Sequence, residues 1–369
     1  MSTTTTTTTN AAQASPAKLT VAHDLDFHKQ YKYTAYLPVY DEETKLPPLE
    51  PFEFNDRDLV ADKKHRNLLS KEKNPELNVT KLTPVVGTEI RGLQLSGLDD
   101  RQKDDLALLI AERGVVVFRD QNFKDVGPER QKEFARYFGP LHIHATGSHV
   151  KDNLEILNIY LGPDNPDRWQ VREGHLTSTG FHSDITFERQ PPGITILTLL
   201  SVPPTGGDTA WTSQTAAYAR LSQPIKTLLE GLRAEHSGHP HADSARRNGN
   251  FVRREPVIRQ HPVVRVHPVT GQKSLFVNAA FTKRIVGLKH EESEALLNLL
   301  YTHINQGQDF QVRVKWEEGT VCLWDNRVTC HTAISDYNIE NPQEGLRHGV
   351  RLTTQAEQPI GVNGLQSVF

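Results

Sequence analysis

The sequence predicts a mainly β protein with flanking helices, a sandwich or jelly roll. Two observations carry this. Beyond about residue 150, most apolar runs are short and bounded by Gly, Pro, Asn or Asp, as strands are. Few stretches keep the i, i+3, i+4 apolar spacing of a helix. The chain has 369 residues, 36% of them hydrophobic, ample for a large buried core. Mean hydropathy is −0.54, and no run approaches the roughly 18 apolar residues of a membrane span. A net charge of −3 lacks the basic excess of a nucleic-acid or anionic-membrane binder, so neither partner is expected. Two cysteines, Cys322 and Cys330, are too few for a disulfide scaffold. A reducing compartment fits, and the cytoplasm is expected.

Taken in order, residues 1–30 open with the run Thr3 to Thr9 and stay small and polar, which predicts a disordered tail. It has no apolar signal region, and no arginine precedes Arg57, so neither a secretory signal nor a mitochondrial presequence is read there. Residues 31–80 carry Pro47, Pro48 and Pro51 among charges and aromatics, which predicts an extended arm lying on the main domain. The main domain is read as 81–369. Leu106, Leu109 and Ile110 predict a helix over Asp99–Arg113, closed by Gly114. Val115 to Phe118 reads as a buried strand. A second helix is predicted over Pro128–Phe138, and further helices around Ser213–Leu232 and His290–Asn305. Strands are predicted at Ile156–Tyr160, Ile194–Val202, Pro262–His267, Ser274–Val277, Phe310–Trp316 and Thr320–Trp324. Glu317-Glu318-Gly319 reads as the turn of a hairpin joining the last two.

The histidines, 17 in all, suggest metal or proton chemistry. In Phe181-His182-Ser183-Asp184, residues i and i+2 of an extended segment share a face. His182 and Asp184 could thus offer one ion an imidazole and a carboxylate, and His331, after the Thr320–Trp324 strand, could add a third ligand. Two His and one carboxylate leave adjacent positions open for a cosubstrate and O₂. The same string could equally be two polar residues at a strand end. His236, His239 and His241 could also cluster, but Pro240 and the nearby Arg246-Arg247 suggest a mobile loop. His261 and His267 read as structural or exposed. Arg347 and Arg351 share one face of a strand, with Gly349 between them. Facing a barrel interior, the pair would require anionic partners; on an exposed edge it would be solvated. Gly206-Gly207-Asp208-Thr209 offers a tight turn and a hydroxyl. His142 and His144 could bind metal, donate to a substrate anion, or serve structure.

Together these strings resemble the taurine/2,4-D dioxygenase (TauD/TfdA) family of Fe(II)- and 2-oxoglutarate-dependent oxygenases. The ordered set is Phe181 to Phe187, Pro191-Pro192, Pro204 to Trp211, Leu323 to Arg327 leading to His331, and then Arg347 and Arg351. Phe138 to His144 and Val86 to Ile90 match as well. The resemblance spans about Lys81 to Pro359, and the N-terminal 80 residues look like the extension of fungal sulfonate-dioxygenase-like members. It implies a double-stranded β-helix, with Fe(II) held by His182, Asp184 and His331. It also implies that Thr209 and Arg347 grip the distal carboxylate of 2-oxoglutarate, and that His144 and Arg351 grip a small anionic substrate, foremost an alkylsulfonate. O₂ is the second cosubstrate; CO₂, succinate, sulfite and an aldehyde are the products. A homo-oligomer, dimer or tetramer, is implied too. Two positions depart from the family: an Asn expected before His182 and a Tyr expected after His144 are replaced within Thr177–Gly180 and Ala145–Ser148. That puts an amine-binding side of the pocket in doubt. The alternatives are a same-fold oxygenase of secondary metabolism that hydroxylates, desaturates or cyclises an amino acid or carboxylate, a non-catalytic binding protein with a relict site, and a zinc hydrolase.

Overall fold

The structure, a computed structural model, describes residues 29–39, 44–161, 180–247, 250–338 and 345–369. The tail expected over 1–30 therefore lies almost wholly outside the described residues, as does Thr177–Thr179. In chain order the strands are β1 (Pro38–Val39), β2 (Asn78–Lys81), β3 (Thr88–Arg91), β4 (Val115–Phe118), β5 (His149–Val150), β6 (Asn153–Leu161), β7 (Pro192–Ser201) and β8 (Thr209–Ser213). There follow β9 (Arg233–Ser237), β10 (Ile258–Pro262), β11 (Val264–Val266), β12 (Lys273–Leu275), β13 (Thr282–Ile285), β14 (Gln311–Val314), β15 (Val321–Asp325), β16 (Thr329–Ala333) and β17 (Arg347–Gln355). The helices are α1 (Asp100–Arg113), α2 (Pro128–Arg136), α3 (Gln214–Ala219), α4 (Gln223–Glu230), α5 (His239–Arg247) and α6 (His290–Gln306).

A nine-stranded sheet runs β1-β5-β6-β17-β7-β15-β4-β3-β2, and a three-stranded sheet runs β14-β8-β16. The two sheets face each other. Val115 and Val117 of β4, Leu197 and Leu199 of β7, and Cys322 and Trp324 of β15 share one core with Trp211 of β8 and Val312 and Val314 of β14. The alternate residues Val116, Phe118, Ile196 and Leu323 point outward onto α1 and α2, joining Leu106, Ile110 and Phe134. Strands covered on both faces need apolar side chains throughout, which is why Val115–Phe118 is unbroken. This is a jelly roll with flanking helices, as expected.

Several elements follow from local chemistry. Asp99 caps α1 and exchanges bonds with Gln102 in a capping box. Gly114 ends α1 at φ +74°, and a Cβ there would sit 2.7 Å from the Thr329 side chain. Others differ from expectation. The predicted hairpin does not form: β14 pairs with β8, whereas β15 pairs with β4 and β7 in the other sheet. The helix expected over Ser213–Leu232 is two, α3 and α4, because the chain turns before Pro224, which starts α4. His239-Pro240-His241 is the first turn of α5 and not a loop, since proline is tolerated at a helix start. His331 follows β15 after the short turn at 326–328, as expected, and lies inside β16.

The chain before residue 78 is tied to the strands that carry the candidate site. Tyr31 Oη lies 2.8 Å from Nδ1 of His348 on β17, and His348 Nε2 lies 3.0 Å from the Tyr36 carbonyl. Further on, Arg327, between β15 and β16, is buried against Asp325, Asp56, Asp58 and Glu357. One guanidinium thus satisfies four carboxylates. Removing it leaves buried negative charge uncompensated, so Arg327→Ala is expected to cost about 3–5 kcal/mol, read as a lower denaturant midpoint. A loss under about 1 kcal/mol would mean that the cluster is solvated.

Candidate active site

The jelly roll brings His182, Asp184 and His331 to one place. His182 and His331 exchange backbone bonds, N to O at 3.0 and 2.8 Å, in an isolated β-bridge. Their rings lie 4.5 Å apart. Asp184 is not on a continuing strand. The chain turns there, and Ile185 adopts φ +35°. Asp184 Oδ1 lies 4.0 Å from His182 Nε2 and 3.9 Å from His331 Nε2. The ligand atoms of the three residues lie within 4.8 Å of one another. His182 Nδ1 contacts the Gly180 carbonyl at 2.9 Å; as the donor there, Nδ1 carries the proton and Nε2 is left free for an ion.

Neighbours fix the carboxylate. Thr195 donates to Asp184 Oδ2 at 3.2 Å, and Asn326 Oδ1 accepts from the Asp184 backbone N–H at 3.1 Å. Asn326 Nδ2 in turn donates to Thr195 at 2.8 Å. Sequence reasoning gave Thr195 and Asn326 no role, because Asn326 reaches both Asp184 and Thr195 across more than a hundred positions, and the Thr195 bond to Asp184 depends on the turn at Ile185. Arg351 Nη1 donates to Asp184 Oδ1 at 2.9 Å. Burial works against the charged carboxylate, but Arg351, then His331 and His182, hold it well below the usual carboxylate range. His331 is pushed down to about 3, by burial and then by His182. A charged carboxylate beside the neutral His331 imidazole suits a divalent ion.

Arg347, 2% exposed, points inward from β17 at the level of Thr209, the first residue of β8. Its Nη2 donates to Thr209 Oγ1 at 3.3 Å, and its Nε to the Gly207 carbonyl at 2.8 Å. Among the described residues no carboxylate forms an ion pair with it. Burial lowers its pKa. A buried guanidinium without a counter-ion is costly and fits a site that receives one. Arg351 keeps an unused donor too: its Nε is buried with no hydrogen-bond partner. His144 Nδ1 lies 2.7 Å from the Thr146 carbonyl. Its pKa is pushed down to about 3, by burial first and then by Arg351 and His241. His142 is occupied instead with Arg254, Nη1 to Nε2 at 3.3 Å.

His236, His239 and His241 do not converge on a shared point. Among the described residues, the one other grouping with metal-binding spacing is Asp56, Asp58 and His267, which Arg327 fills. His261 and His267 are buried and hydrogen-bonded, to Ser367 and Glu188 and to Asp325 respectively. The structure brings His241 to the candidate site: its ring lies 5.6 Å from His144 and 6.3 Å from Phe281.

Residues 78–353 match the family described as taurine catabolism dioxygenase TauD, TfdA. The chain is 44% identical to an alpha-ketoglutarate-dependent sulfonate dioxygenase of Saccharomyces cerevisiae, over 90% of this chain and 80% of that protein. It is 44% identical to the alpha-ketoglutarate-dependent dioxygenase cnsM of Penicillium expansum, over 89% and 90%. The solved taurine dioxygenase of Burkholderia xenovorans superposes with a TM-score of 0.65 at 33% identity, covering 80% of this chain and 96% of that one. The chain belongs to the TauD/TfdA family. It is a 2-oxoglutarate-dependent dioxygenase that works with Fe(II) and O₂.

Proposed function

We propose that this dioxygenase hydroxylates a small alkylsulfonate at the carbon next to sulfur. The observation that carries the reading is a pair of guanidiniums, Arg347 buried and Arg351 partly buried, beside a two-histidine, one-aspartate cluster. Among the described residues Arg347 has no carboxylate partner and Arg351 keeps Nε unused. His182, Asp184 and His331 would hold Fe(II), a donor set that suits that ion. Thr209 and Arg347 would hold the distal carboxylate of 2-oxoglutarate through a hydroxyl and a planar fork. His144 and Arg351 would hold the sulfonate. The yeast relative's name, a sulfonate dioxygenase, supports that choice.

Bound iron supplies the oxidising chemistry: O₂ and 2-oxoglutarate give CO₂ and succinate, and one oxygen atom enters the substrate C–H bond. The α-hydroxysulfonate then breaks its C–S bond, giving an aldehyde and sulfite. This chain's residues orient: Thr195 and Asn326 fix Asp184, and the two arginines align cosubstrate and substrate.

The division into a tail (1–30), an arm (31–80) and a catalytic domain (81–369) belongs to the same reading, supported by where the family match begins. No described helix is long and apolar enough to cross a membrane. A cytoplasmic location rests on the reducing compartment that two buried free cysteines fit, and a homo-oligomer, dimer or tetramer, on the family resemblance.

Arg351→Ala tests the substrate grip. It is expected to raise the alkylsulfonate KM by about a hundredfold, the weight of a charge-assisted pair, while the 2-oxoglutarate KM moves less than about threefold. The reverse pattern would mean that the two arginines exchange roles. Turnover with carboxylates or amino acids alone would assign the enzyme to secondary metabolism.

A further inference from the structure

Beyond the anion grip, the compartment has a far wall that the sequence did not foretell. Its start is set by Gly238, immediately before α5, where a Cβ would sit 2.9 Å from the ring of Phe187. That close approach carries the first turn of α5 inward. The backbone N–H of Ser237 donates to the Phe281 carbonyl at 2.9 Å, tying the same segment to Phe281. His241 then reaches across the opening. Its Nε2 lies 2.8 Å from Thr146 Oγ1, and Thr146 is the residue whose carbonyl orients His144. Phe281 closes the belt, its ring 6.3 Å from His241 and 6.4 Å from His182. His241 is thus joined to the anion-binding histidine on one side and to a candidate iron ligand on the other.

The chemistry of this wall is one-sided. It offers a hydroxyl, an imidazole and an aromatic edge. The charges acting on His241 are those of His182 and Arg351. Asp184 is the one carboxylate that bears on His144, and it is engaged by Arg351. Among the described residues, an ammonium placed here would meet Arg351 and the metal with no carboxylate left to receive it. At this rim a cation would face the Arg351 charge with no carboxylate to offset it, whereas Thr146 and His241 can hydrogen-bond a hydroxyl.

We propose that His241 is a specificity-determining residue: with Thr146 and Phe281 it receives the uncharged end of the substrate and selects sulfonates with a neutral tail over zwitterionic aminosulfonates. The inference rests on the sulfonate reading above and narrows it to a class.

The test compares two sulfonates of nearly equal size, 2-hydroxyethanesulfonate and 2-aminoethanesulfonate, by sulfite release from the full-length iron-loaded enzyme near neutral pH. The wild type is expected to favour the hydroxy compound by at least about tenfold in kcat/KM, the discrimination an unpaired polar group gives. His241→Asp supplies the missing anion at an exposed position in the first turn of a helix, where an acidic side chain is compatible with folding. It is expected to shrink that ratio about tenfold or invert it, with the 2-oxoglutarate KM moving less than about twofold. His241→Ala should raise the KM for the hydroxy compound more than it lowers kcat. A wild type that prefers the amine, or a ratio that shifts by less than about threefold in His241→Asp, overturns the role of His241. Sulfite from neither sulfonate, nor from a plain alkanesulfonate, overturns the sulfonate reading itself and this inference with it.

Discussion

Asp184→Ala is expected to abolish turnover, with loss of at least about a thousandfold, well beyond the roughly 10–100-fold that follows removal of an outer-shell partner. Asp184 is the one carboxylate in the cluster, and its Oδ1 faces both imidazoles, 4.0 and 3.9 Å away. Without it two histidines remain, beside the positive charge of Arg351. Iron content should therefore fall together with activity, measured by equilibrium dialysis on the purified chain. Asp184→Asn separates the metal role from packing. It keeps the shape and an oxygen for Thr195 but removes the charge, so it too should lose iron while keeping the thermal midpoint closer to that of the wild type. Normal iron content with full activity in either variant would remove Asp184 from the metal site.

Arg347→Met should separate stability from function in opposite directions. Arg347 is buried against Thr209 and the Gly207 carbonyl, with no ion-pair partner among the described residues. Replacing a buried, uncompensated guanidinium by an apolar side chain of similar length is neutral or stabilising, by about 1–4 kcal/mol in comparable cases. The same change removes the fork that would meet the distal carboxylate of 2-oxoglutarate. The KM for 2-oxoglutarate should rise about a hundredfold, as expected for loss of a charge-assisted pair. A higher unfolding midpoint with a weaker cosubstrate grip is the signature of a group kept for binding. A variant that unfolds more easily and binds 2-oxoglutarate normally would make Arg347 a structural residue.

The parts of the molecule legible in the sequence are those decided locally. The Asp99–Gln102 capping box and Gly114 set the ends of α1, and Val115–Phe118 is apolar throughout because both faces of β4 are covered. The parity of Arg347, Gly349 and Arg351 also held, with Val350 and Leu352 turned to the opposite core. What failed was decided by distant partners. The turn at Glu317–Thr320 is real, closed by the Thr320 N–H on the Glu317 carbonyl at 3.1 Å. Its two flanking strands nevertheless enter different sheets, β14 beside β8 and β15 between β4 and β7. His182 and Asp184 do converge, but through a bridge to His331 and a turn at Ile185 rather than along one strand. Asn326, Thr195 and His241 gain their meaning only when the sheets close. The signal available for His241 was proline itself: Pro240 is favoured in a first helical turn, which argues for a helix start there and against a loop.

The central claim is that 2-oxoglutarate consumption is coupled to oxidation of a C–S carbon. The most direct measurement is the ratio of sulfite to succinate formed from a plain alkanesulfonate with Fe(II), ascorbate and O₂. The account predicts a ratio near one to one, dependent on all three additions and lost in Asp184→Ala. Succinate formed without sulfite across the sulfonates, and stimulated instead by a carboxylate or an amino acid, would contradict it.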